Sequence, residues 1–420
     1  MKTNGKLSWI LSNSVFRNGL TFLLILSLAF QLNAQSDGLP RGAYQMPYVR
    51  YESEDANRGG GAILYENPFF DELLTAAEAS DQKYVGLPNN GAYVEWNINN
   101  TANGITLRFT MPDAADGEGE SGSLDLYVNN AFVKTINLTS YWAWQYFPGS
   151  EPENHPGDRP RMRFDEVHFR LNTPGGPGDV LKIQKGAGDS FEYGVDFIEI
   201  ENVGAPLSKP SGYFSVTDYG AVPDDGNDDF AAFNAALAAA GSAGTGIYIP
   251  AGRFELSDKW SVEENNIGIL GAGMWYTELF FSTEAVFSGG ILARASDIEI
   301  GHFYMNTINN QRFLNGQYVI YKGFMGTYGN NSSIHDVWVT HFECGAWIAG
   351  YDPPYPIDIT YNLEFTRNRI RNNYADGINL CQGTSGTDVS HCNFRSNGDD
   401  AMAVWPNSDF GAPEAVNNIF

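Results

Sequence analysis

From Tyr48 to about Asn202 short runs of β-branched and aromatic residues alternate with Gly, Pro, Asn and Asp at strand-and-turn spacing. Ala92–Ile98, Ile105–Phe109, Leu124–Val128 and Val195–Ile200 read as strands, so residues 48–202 are predicted to form a β-sandwich. Residues 203–212, punctuated by Gly204, Pro206, Pro210 and Gly212, read as a linker into a second domain over 213–420. That domain opens with Phe214–Gly220, an acidic loop over Asp224–Asp229, and an alanine-rich helix predicted for Asp229–Ala240. Asn227 or Asp228 is the expected helix cap and Gly241 the expected stop, which makes the acidic loop a helix start rather than a calcium site.

Beyond residue 260 pairs of apolar residues five apart recur: Ile298 with Phe303, Ile334 with Val339, Phe365 with Ile370, and Val389 with Phe394. Their first members are separated by 36, 31 and 24 residues. An irregular period of this size with asparagine-rich turns predicts coils of a parallel β-helix carrying loop insertions. Equivalent residues of adjacent coils then lie about 4.8 Å apart. The fold class is all-β.

That stacking gives the late carboxylates their meaning. Asp376 follows Phe365 by eleven residues and Asp400 follows Val389 by eleven, so the two are predicted neighbours, with Asp399 beside them. Asn397-Gly-Asp-Asp400 alone reads as a turn. The register match with Asp376 makes it a candidate catalytic cluster, because crowded carboxylates raise at least one pKa and so pair a proton donor with a base. A gap of roughly 6.5–9.5 Å between donor and base is the spacing expected for inverting glycoside hydrolysis. Trp347, Tyr374 and Trp405 are the candidate substrate-binding aromatics beside it.

Composition narrows the substrate. Lys2, Lys6 and Arg17, the apolar stretch Leu20–Phe30 and Ala34 read as a secretory signal peptide over residues 1–34. Removing its three positive side chains takes the net charge from −25 to −28. Such acidity argues against nucleic acid and against a membrane partner after signal cleavage, and more weakly against a polyanionic substrate. A secreted monomer acting on a neutral polysaccharide is expected. Cys344, Cys381 and Cys392 fit no zinc spacing and read as core residues, with one disulfide open to them.

Tyr374–Leu380 followed by Ser390–Trp405 resembles glycoside hydrolase family 87, the α-1,3-glucanases and mycodextranases. The resemblance implies a right-handed, pectin-lyase-like β-helix and an inverting endo-hydrolase of α-1,3-linked glucan. It places catalysis on Asp376, Asp399 and Asp400, with no cofactor for the reaction. By analogy with the similar Asp-Gly and Gly-Asp-Asp segments of family 28 polygalacturonases, Asp399 is the acid and Asp376 with Asp400 hold the water; Asp376 as the acid stays open. The final segment Ala415–Phe420 looks like the start of another coil, so further coils are expected beyond it. The first domain resembles carbohydrate-binding modules of the family 6, 35 and 36 group through Tyr51–Ala56, Gly91–Trp96 and Gly194–Ile200. That implies a structural calcium held by Glu52, Glu54 and Asp196. Two alternatives remain: a pectin hydrolase similar to polygalacturonases, using Arg367, Arg369, Arg371 and Arg395 on substrate carboxylates, and a non-catalytic β-helical carbohydrate-binding protein.

Overall fold

The computed structural model describes residues 45–146, 159–314, 317–318, 320–350, 357–405 and 411–420. The signal peptide read over 1–34 lies outside them. Met46–Phe420 form one compact unit.

In the first module alternating apolar side chains build two antiparallel sheets around one core. One sheet runs Asp165–Gly175, Ala102–Thr110, Tyr193–Glu201, Lys83–Leu87 and Ile63–Glu66, and Tyr48–Glu52 also pairs along Tyr193–Glu201. The other runs Asn57–Gly59, Tyr93–Asn97, Val180–Gln184, Ser121–Val128 and Ala131–Thr139. Ile105, Leu107 and Phe109 meet Val94, Trp96 and Ile183 in the shared apolar cluster. Thr106, Arg108 and Glu199 point to the opposite face, yet they too are buried.

The rest of the chain winds through three parallel sheets. Glu299–Gly301, Ser333–His335, Glu364–Thr366 and Asp388–Ser390 stack in the first, and Tyr304–Thr307, Trp338–Thr340, Arg369–Arg371 and Asn393–Arg395 in the second. The third holds Lys322–Thr327, Cys344–Ile348, Ile378–Cys381 and Met402–Trp405. Ile300, Ile334, Phe365 and Val389 align across the first sheet, and Met305, Val339, Ile370 and Phe394 across the second. The predicted pairs are therefore right for three coils. In the earliest coil the aligned residues are Ile300 and Met305, not Ile298 and Phe303, a slip of two that keeps the same face.

The helix occupies Phe230–Ala243 and runs through Gly241 to a left-handed Gly244 at φ 61°. The N-cap is Asp229, without a side-chain capping bond, rather than the expected Asn227 or Asp228; Asp228 accepts from the Phe230 N–H at 3.1 Å from the position before it. The side chains of Phe233 and Leu237 close the first coil, with Phe233 5.3 Å from the Trp260 ring. All three cysteines are free thiols.

The two modules meet over charge. The predicted linker is held on both sides: Val203 and Asn103 exchange bonds of 2.7 and 3.0 Å, and the Leu207 N–H donates to Ala272 O at 2.9 Å. Arg369 and Arg371, expected on an outward face, do leave the coil but enter the first module and are buried. Arg371 reaches Glu166 and Glu199 at 3.1 Å each, Arg395 reaches them at 2.7 and 2.5 Å, and Arg369 meets Glu201 at 2.5 Å. His168 stacks on Trp338 at 4.2 Å, and burial lowers its pKa to about 3, so it enters this niche neutral.

Candidate active site

The turn between the second and third sheets carries the carboxylates. Its chain passes so close to the neighbouring coil that side chains do not fit: a Cβ on Gly398 would meet Tyr374 O at 2.4 Å, and one on Gly377 would meet Ala401 O at 2.5 Å. This close approach, rather than a special φ, requires the glycine of Asn-Gly-Asp-Asp. Asn373 and Asn397 stack beneath it, Asn373 Nδ2 donating to Asn397 Oδ1 at 2.9 Å and Asn397 Nδ2 to Ile370 O at 3.1 Å. Buried amides satisfied along a coil stack hold the turn at fixed height.

On that support Asp376, Asp399 and Asp400 converge. One oxygen from each lies within 4.8 Å of the others. The Asp400 N–H donates to Asp376 Oδ1 at 3.2 Å, and Asn379 Nδ2 donates to Asp376 Oδ2 at 2.7 Å. Asp376 is half-buried while Asp399 and Asp400 are exposed. Burial is the main force raising the Asp376 carboxyl above its ordinary value; the Asp399 and Glu343 carboxylates add to it, against the Asn379 and Asp400 hydrogen bonds.

The third sheet forms the floor beside the carboxylates. Trp347, Asn379 and Ala403 align across successive coils. Trp347 and Trp405 rings lie 6.2 Å apart, tilted by 43°, and Trp405 is 50% exposed. Lys322 pairs with Glu343 and sits 3.9 Å from the Trp347 ring centre. A cavity of about 220 Å³ opens between Lys322, Met325, Trp347 and Cys381. Tyr374 corrects the expectation: it is fully buried inside the coil, because the residue after Asn373 turns inward to fill the space beside Phe342. Lys322, Glu343 and Asn379 were not singled out from the sequence. The coil offsets that align Asp376 with Asp400 also align Trp347 with Asn379, and that signal could have found the last of them.

The remaining charged candidates lie elsewhere. Arg367 pairs with Asp336 at 2.7 Å, so all four arginines that a pectin-type substrate would need are committed to the protein's own carboxylates. His302, His335 and Asp336 also come within 4.8 Å, but both ring nitrogens of His335 are already bonded, to Asp336 and Glu299 at 2.9 and 3.1 Å. In the first module Glu52 Oε2 and both Glu54 carboxylate oxygens are buried without a hydrogen-bond partner. Burial, helped by the Glu52 and Asp196 carboxylates, raises Glu54 to about 7. Asp196 differs: Arg108 and the Ser80 N–H occupy its two oxygens. Trp142 and Trp144, a second aromatic pair, are spent on packing, Trp142 stacking on His341 at 4.6 Å and Trp144 on Tyr146 at 6.0 Å.

Models of the α-1,3-glucanase catalytic domain match this chain, domain D1 over residues 45–203 and domain D2 over 230–420. Among solved structures the Agl-KA catalytic domain is 48% identical with a TM-score of 0.87, covering 91% of this chain and 68% of that one. The catalytic unit of a thermostable GH87 α-1,3-glucanase from Streptomyces thermodiastaticus strain HF3-3 is 26% identical with a TM-score of 0.73, covering 90% and 64%. A GH87 α-1,3-glucanase catalytic domain with an aspartate-to-alanine substitution, in complex with tetrasaccharides, is 27% identical with a TM-score of 0.73, covering 90% and 64%. Across related solved variants the substituted aspartates are spaced by 23 residues and by one, the spacing of Asp376, Asp399 and Asp400. The chain thus spans 64–68% of the length of these structures. A search of curated proteins finds no match.

Proposed function

The chain belongs to the α-1,3-glucanase family of glycoside hydrolases, and on that premise we propose that it is an exported, inverting endo-hydrolase of α-1,3-linked glucan. The observation that carries this reading is the stacking of Asp376 on Asp400 with Asp399 alongside, next to the Trp347 and Trp405 rings. Asp399 protonates the leaving oxygen while Asp376 and Asp400 hold the attacking water. The tryptophans take the sugar faces. Nigerose and tetrasaccharides bound by solved relatives support a neutral α-glucan as substrate.

One observation favours a second assignment within this chemistry. Burial raises the Asp376 carboxyl, the direction that suits a proton donor. A substrate with an activated leaving group separates the two: the variant lacking the acid keeps turning it over, and the variants lacking the base do not. Inversion itself rests on the family resemblance.

The first module, two antiparallel sheets about one core, serves in this reading as a fixed buttress of the coil. Glu52 and Glu54, with their unpartnered oxygens, are suited to a calcium ion, a hard cation that takes carboxylate oxygen. Asp196, held by Arg108, is not one of its ligands in this proposal. The test of function is reducing-end release from insoluble α-1,3-glucan, with nigeran, dextran and polygalacturonate in parallel. Activity on the first two that disappears in Asp376→Asn, Asp399→Asn and Asp400→Asn supports the reading. Release from polygalacturonate alone, or binding without release, overturns it.

A further inference from the structure

We propose that Arg108, in the first module, is a positioning residue for the catalytic turn and acts through Ser396. The inference rests on the proposed roles of Asp376, Asp399 and Asp400.

Arg108 lies in Ala102–Thr110 on the face that meets the coil and is 3% exposed. A guanidinium so deeply buried persists only when paired and fixed. Asp196 takes Nη1, Glu78 O accepts from Nη1 at 3.2 Å, and Glu78 Oε1 accepts from Nη2 at 3.3 Å. The Phe164 ring lies 4.6 Å beneath the guanidinium carbon. With its plane set by these contacts, Nη2 also donates to Ser396 Oγ at 3.2 Å, across 288 residues of sequence.

Ser396 is a sensitive place to hold. It adopts φ +53°, a left-handed conformation unfavourable to a residue with a Cβ, and it turns the chain from the second sheet toward the third. Asp399 follows three residues later. From the coil side the turn is held by Gly398 N–H to Asn373 O at 2.8 Å and Asp399 N–H to Ala375 O at 3.2 Å. Its other side borders a cavity of about 640 Å³ lined by Glu78, Met162, Ser396, Asn397 and Gly398. Arg108 reaches Ser396 at the edge of that opening and fixes the approach of the chain to the two exposed aspartates. Asp196, expected as a metal ligand, serves here to hold the arginine.

The test compares wild type, Ser396→Ala and Ser396→Asn, whose amide oxygen can accept from Arg108 and whose backbone tolerates the left-handed conformation, measuring turnover of a soluble α-1,3-gluco-oligosaccharide and amide hydrogen exchange at Gly398 and Asp399. Ser396→Ala leaves Arg108 with its carboxylates, so folding is not at stake. Expected for Ser396→Ala are a kcat lower by about 10- to 100-fold with KM unchanged, and faster exchange at both amides, with Ser396→Asn restoring both. A kcat and exchange equal to wild type overturn the proposal, as does a change in KM alone. Should wild type itself show no turnover, the hydrolase reading fails separately and exchange decides: faster exchange in Ser396→Ala that Ser396→Asn restores supports the clamp, and unchanged exchange overturns it.

Discussion

Replacing Glu199 by glutamine tests whether the buried charges weld the two modules together. Glu199 accepts from Arg50 at 3.1 and 2.8 Å, from Arg371 at 3.1 Å, and from Arg395 at 2.5 and 3.1 Å. Burial would raise its carboxyl, but Arg371 and Arg395 outweigh burial and hold it well below the ordinary range. In Glu199→Gln Arg371 and Arg395 are left with Glu166 as their shared carboxylate, while Arg50 keeps Glu52 at 3.6 Å. Removing one partner of a buried charge pair costs about 3–5 kcal/mol. With an unfolding entropy of ~2.1 cal/mol/K per residue, the unit Met46–Phe420 gives about 0.8 kcal/mol/K, so the thermal midpoint falls by about 4–6 °C. Scanning calorimetry at pH 7 should show one transition in both proteins, because the interface joins the modules. Glu199→Met combined with Arg395→Met should recover part of the loss, since both charges then leave the interior together. A shift below about 1 °C, or a first module melting by itself, refutes the reasoning.

The depressed carboxyls of Glu166 and Glu199 contribute stability that is present above their unfolded pKa of about 4.5 and is lost as pH falls below it. The midpoint should therefore drop on acidification below pH 4.5, and less steeply in the double methionine variant, which thermal melts across pH would show. In the calcium-free protein Glu54 runs the other way: raised to about 7, it contributes stability fully present below its unfolded pKa and lost as pH rises through 7. Chelation by EDTA should accordingly lower the wild-type midpoint most at pH 8 and leave Glu54→Gln unmoved; equal melts with and without chelator would end the calcium proposal. Trp405→Ala should raise KM for oligosaccharide by about 2- to 10-fold with kcat preserved, from the loss of a stacking surface worth about 0.5–1.5 kcal/mol. Anomer-resolved NMR of the first product should show the β-anomer, and an initial α-anomer would replace inversion with retention.

Asp376 and Asp400 could be paired from sequence because a coil stack converts a fixed offset directly into contact. The same logic aligned Phe365 with Val389 and Ile370 with Phe394. It slipped by two at Ile298, where Ile300 and Met305 are the aligned residues and both choices present an apolar side chain to the same face. Tyr374 was misplaced for a related reason: beside an acidic motif a tyrosine reads as a cleft residue, but the inward turn after Asn373 sends it into the core.

What the sequence by itself determined were the strands, the coil repeat and the meeting of Asp376, Asp399 and Asp400, all properties of local period and register. Tertiary structure alone decided the fate of the charges. Arg108, Arg369, Arg371 and Arg395 occupy positions that alternation assigns to an outer face, and the first module turns that face into an interior. Their partners lie more than 160 residues away for Arg369, Arg371 and Arg395, and Ser396 lies 288 residues from Arg108. No local pattern encodes such a pairing, because it depends on how two separately periodic segments are laid against each other.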